Sequence, residues 1–87
     1  MKVIVVSLCR GNQIFTQEVR TNSQLATEIM IGWLKDIAYK MGVTLKEFTD
    51  LENKIRMNCY YGCDEGNENT FYIKDYLIHY KEHHIPI

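Results

Sequence analysis

Neither sign of charge is in excess in this chain: ten Lys and Arg face eleven Asp and Glu, for a formal net charge of -1. The basic residues are scattered, so the concentrated cationic surface that displaces counterions from phosphates is missing and nucleic-acid binding is not expected. Cysteine is scarce and odd in number, with only Cys9, Cys59 and Cys63. That reads as reduced thiols of a cytoplasmic protein rather than a disulfide framework. No stretch approaches the ~20 apolar residues of a membrane span, so membrane insertion is not expected. The longest apolar run, Val3 to Cys9, meets Arg10 and Asn12 without a small-residue cleavage site, so it reads as a strand and not a signal peptide. A phosphate-cradling glycine loop and a nucleophile–base pairing are also missing, and neither catalysis nor a cofactor is expected.

What remains is ordinary globular material. At 87 residues, 46% hydrophobic and 24% charged, the chain predicts one domain over residues 1–87, with no linker or repeat. Val3-Ile4-Val5-Val6-Ser7-Leu8 is β-branched and apolar on both faces, which suits a central strand. Arg10-Gly11-Asn12-Gln13 supplies a turn, and Ile14 to Arg20 returns as a more polar strand near an edge.

Thr21 and Gln24 stand at capping-box spacing and open a helix. Leu25, Ile29, Trp33, Ile37 and Met41, flanked by Ala26, Met30 and Leu34, give it one wide apolar face. Gly42 ends it, and Thr44 with Glu47 caps a second, more polar helix from Leu45 to about Lys54. Lys54 to Tyr61 predicts a strand, with Ile55, Met57 and Cys59 on one face. An acidic loop follows over Cys63 to Thr70. Residues 72–80 fit two periods: Tyr72, Tyr76 and Tyr80 make a helical stripe, while the β-branched and aromatic content suits strands.

Met1-Lys2-Val3-Ile4-Val5, the interval from Val19 to Leu25, and Ile73-Lys74-Asp75-Tyr76-Leu77-Ile78 before Ile85-Pro86-Ile87 carry a resemblance. In this pattern the chain resembles the ubiquitin-like β-grasp fold over nearly its whole length. Within that fold it looks most like small bacterial ubiquitin-like proteins associated with type VII (ESAT-6-like) secretion. The resemblance implies an α+β fold with an N-terminal hairpin, a long helix plus a second helix, and C-terminal strands completing a mixed sheet. Ile85 and Ile87 would lie parallel to Val3–Val6. The helical region 22–54 and the interval from Ile78 to Ile85 are both longer than that pattern expects. The ending Ile85-Pro86-Ile87 replaces the Gly-Gly tail of conjugated members, which predicts no covalent conjugation. The implied function is a cytosolic adaptor that docks on a protein partner, such as an accessory or regulator of type VII secretion.

Four constellations compete for a site. Tyr60, Tyr61, Tyr72 and Tyr80 are candidates for protein binding, because tyrosine offers rigid contact area with a polar tip; the simpler reading places each in the core. Cys59-x3-Cys63 followed by His79-x3-His83 approaches zinc-ligand spacing, against a reading as a buried thiol, a loop thiol and solvated histidines. Asp64, Glu65 and Glu68 form an acidic cluster beside His79, a catalytic candidate set against a reading as solvated residues of a Gly-Asn loop. Residues 34–54 fit a small phage-type helix-turn-helix DNA-binding regulator, the alternative function, although Glu47, Asp50 and Glu52 would repel phosphates.

Overall fold

The computed structural model describes residues 1–60 and 68–86. Strand β1 (Lys2–Arg10) turns through Gly11, at a left-handed φ of 60°, into β2 (Gln13–Arg20). The two pair antiparallel from Ile4↔Arg20 to Arg10↔Gln13. Between Leu8↔Thr16 and Cys9↔Ile14 the register shifts, so Phe15 is an extra residue and β2 is bulged. Strand β3 (Glu68–Ile73) and β4 (Tyr76–His84) form a second hairpin, closed by Lys74 and Asp75 with Lys74 at φ 53°. The hairpins join through their long strands, from Lys2↔His84 to Arg10↔Tyr76, giving the order β2-β1-β4-β3.

Every pairing in this sheet is antiparallel, which corrects the mixed sheet expected from the β-grasp resemblance. The strand beside β1 is residues 76–84, running opposite to it. Ile85 continues that ladder: its N–H donates to the Met1 carbonyl at 2.7 Å and its carbonyl accepts from the Met1 amino group at 2.8 Å. Its side chain is exposed, and Ile87 lies outside the described residues. The double reading of residues 72–80 resolves as strand, turn, strand.

Helix α1 (Ser23–Met41) starts one residue later than its expected cap. Asn22, not Thr21, accepts from the amides of Gln24 (2.8 Å) and Leu25 (3.1 Å), and asparagine is among the strongest N-caps. The row facing the sheet is Ala26, Thr27, Met30, Ile31, Leu34 and Ile37, while Leu25 and Met41 overrun it into solvent. The apolar arc is wider than the sheet covers, which leaves Ile29 and Trp33 half-buried at its margin. Gly42 takes φ 67° and donates to the Ala38 carbonyl, ending the helix as expected. Thr44 then accepts from the Glu47 amide at 3.1 Å and opens α2 (Leu45–Ile55).

No strand forms over 54–60. Helix α2 runs on into a π-helical turn, Arg56–Tyr60. Ile55 and Cys59 fit the period of four as well as the period of two; Met57, which only the strand reading buries, is 80% exposed. Leu51, Ile55 and Cys59 all pack into the core from this helix, so tertiary burial chose the helical period. Ile4, Val6 and Leu8 of β1, Phe71 and Ile73 of β3, and Ile78 and Tyr80 of β4 meet them from the sheet. Among the described residues, no helix packs on the other face of the sheet.

Candidate protein-binding edge

The structure separates the three described tyrosines of the candidate set. Tyr80 is 0% exposed, so it is a core residue and not a docking residue, a correction to the sequence reading. Its hydroxyl donates to Glu82 Oε1 at 2.9 Å, and Lys2 Nζ reaches the same carboxylate at 3.5 Å. Tyr60 is half-buried at the end of the π-helical turn, where its carbonyl accepts from Ser23 Oγ at 3.2 Å and its ring lies 5.8 Å from the Arg56 guanidinium. Tyr61 lies outside the described residues. Tyr72 is 71% exposed on β3 and is, among the described members of the set, the one that can meet a partner freely.

The proposed zinc set does not assemble. Cys59 is buried on the helical side of the sheet. His79 and His83 lie on the other side, because they oppose Ser7 and Val3 while the core-facing Val6 and Ile4 oppose Tyr80 and Glu82. Cys63 lies outside the described residues, as do Asp64 and Glu65. A sheet between cysteine and histidines forbids a shared tetrahedral ion.

Glu68, read as solvated, instead accepts or shares a hydrogen bond with His79 Nε2 at 2.9 Å, with Lys81 at 3.5 Å. The bond to His79, and next the charge of Lys81, hold its carboxyl below the ordinary value of 4.5. Across the same open face Gln17 donates to Ser7 Oγ at 3.0 Å, and Ser7 stands opposite His79. Among the described residues no hydrogen bond joins Ser7 to His79, so the row braces the sheet and does not assemble a nucleophile with its base. The sequence reading set Glu68 near His79 but missed Ser7 and Gln17, which join the row from separate strands.

One concave feature among the described residues is an open cleft of about 350 Å³ between α2 and the end of the β3–β4 hairpin. Glu47, Asp50, Leu51 and Lys54 form the helix wall, at the spacing that puts them on one helical face. Tyr72, Ile73 and Lys74 form the other wall. Tyr72 and Ile73 point to opposite faces of the sheet, so a cleft that touches both must run along the outer edge of β3. The predicted helix pair 34–54 is present, joined through Gly42, but the exposed side of α2 carries Glu47 and Asp50, with Lys46 bound to Asp50 at 3.0 Å. Among the described residues no helix is long and apolar enough to cross a membrane. No protein-family model, curated protein or solved structure matches the chain.

Proposed function

We propose that this chain is a non-covalent adaptor that binds a protein partner at the cleft between α2 and the β3 edge. The observation that carries the reading is Tyr72, a large aromatic left 71% exposed beside a concave surface. The finer form is a cytosolic ubiquitin-like adaptor, used without conjugation as an accessory or regulator of type VII secretion. It is supported by the N-terminal hairpin, the long helix and the Asp75 turn before the last strand. The antiparallel pairing of β1 with β4 departs from the β-grasp pattern, and the adaptor role does not depend on it.

Benzoylphenylalanine placed singly at positions 72, 57, 39 and 19 tests the reading in cells that express the chain. One defined protein adduct from position 72, suppressed by excess unlabelled chain, is the expected result. An adduct from another position alone keeps the adaptor role and moves its surface. No adduct from any position, with retardation of a DNA duplex that weakens steeply with salt, would transfer the function to residues 34–54 as a DNA-binding regulator.

A further inference from the structure

The two edges of the sheet are not equivalent. At β2 the bulge at Phe15 twists the strand, and Arg20 Nη1 donates to the Val19 carbonyl at 2.7 Å while pairing with Glu18 at 3.3 Å. Bulges and charges of this kind blunt an edge against pairing. At β3 the turn has two residues, so its flanks Ile73 and Tyr76 form the pair that exchanges both ladder hydrogen bonds. Alternation then directs Phe71 toward β4, and directs the N–H and C=O of Tyr72 and Thr70 outward. Among the described residues no other backbone group meets them. The cleft lies against this same edge.

Its charges point to an occupant. Asp50 is held by Lys46, and the other acidic lining residue, Glu47, stands about 10 Å along α2 from Lys54. At the Lys54 end of the cleft, Lys54 on the helix wall and Lys74 on the turn have no acidic partner within 4.0 Å among the described residues. Two unmatched cations, one on each wall, favour a carboxylate lying between them. Leu51 and Ile73 give the floor between helix and sheet an apolar surface.

We infer that the cleft receives an extended segment of the partner protein as a fifth, edge-added strand beside β3. This rests on the adaptor reading and specifies its partner's chemistry. The segment hydrogen-bonds the outward groups of Thr70 and Tyr72, the mode in which backbone bonds supply affinity and alternate side chains supply specificity. Side chains two positions apart share a face. The residue opposite Tyr72 therefore lies over its ring; of its two neighbours, the one toward the turn carries the acidic side chain that meets Lys54 and Lys74, and the one away from the turn is apolar and packs on Leu51.

The test pans a displayed library of random nonapeptides on the full chain, then measures the tightest synthetic peptide by fluorescence anisotropy. The expected result is enrichment of an apolar residue and an acidic one spaced two apart. N-methylation of the central amide should weaken that peptide at least about tenfold, since it removes a ladder bond and leaves a protein group unpaired. Combined Lys54→Glu and Lys74→Gly should also cost about tenfold, while Lys35→Glu and Lys40→Glu leave affinity unchanged. Thermal melts confirm that each variant is folded. No enriched pattern, indifference to N-methylation, or a chain dimer closed through β3 overturns the inference. A failed panel alongside a partner adduct elsewhere on the chain removes this inference alone; with no adduct anywhere the adaptor reading falls too.

Discussion

Replacing Tyr80 by Phe removes a buried hydroxyl and almost nothing else. In the native fold that hydroxyl donates at 2.9 Å to Glu82, whose side chain is 5% exposed and also faces Lys2 at 3.5 Å. Hydrogen bonds to charged groups contribute about 1.5–3 kcal/mol, and here the carboxylate loses a partner where water hardly reaches. Taking about 2 kcal/mol, and roughly 4–8 °C per kcal/mol for a domain of this size, Tyr80→Phe should lower Tm by about 8–16 °C. Tyr72→Ala at the exposed position should change stability by no more than about 0.5 kcal/mol. The two belong in one experiment: calorimetry of both variants, with partner or peptide affinity read in parallel. Tyr80→Phe should bind normally below its melting range, and Tyr72→Ala should melt normally and bind poorly. A Tyr80→Phe protein that melts with the wild type would refute the buried hydroxyl pair, and with it the inward placement of this face of β4.

Other outcomes follow from the same geometry. Thr27 Oγ1 is buried with no hydrogen-bond partner among the described residues, so Thr27→Val should raise stability by about 1 kcal/mol in urea unfolding, and a loss would show the hydroxyl to be satisfied. Lys74 sits at φ 53°, where a side chain is strained, so Lys74→Gly should be neutral or stabilising by up to about 1 kcal/mol, whereas Lys74→Val should be clearly destabilising. The depressed carboxyl of Glu68 contributes stability above its ordinary value of 4.5, and that contribution is lost as pH falls through the lower folded value. Glu68→Gln should therefore flatten the acid limb of Tm against pH and bring no gain at neutral pH. Close Hα–Hα contacts should join Val6 to Tyr80 and Leu8 to Ile78 in a nuclear Overhauser spectrum, since these pairs sit between the ladder bonds; contacts of Ile85 with Val5 in their place would restore the parallel arrangement.

The local elements were largely legible in the residues. The β-branched run before Gly11 gave the first hairpin, Gly42 and Thr44 marked the boundary of the two helices, and Asp75 lies in the turn that precedes the last strand. Strand direction was not legible, because alternation reads the same whether a neighbour runs up or down. Residues 54–60 misled because Ile55 and Cys59 fit periods of two and four alike, and only their burial against α1 and the sheet decides. The tyrosine stripe 72–76–80 misled for a related reason. A two-residue turn reverses the relation between residue number and face, so Tyr72 faces solvent on one side while Tyr76 and Tyr80 lie on the other. The cleft could not be read at all: its walls are far apart in sequence and meet only once the second hairpin has docked beside the first.

Residue-resolved amide hydrogen exchange along β3 tests the open edge most directly. The account predicts slow exchange at Phe71 and Ile73, whose N–H groups bond β4, and fast exchange at Thr70 and Tyr72, whose N–H groups face the cleft. Protection at all four positions would mean that the edge is already covered, and it would contradict a vacancy for an incoming strand.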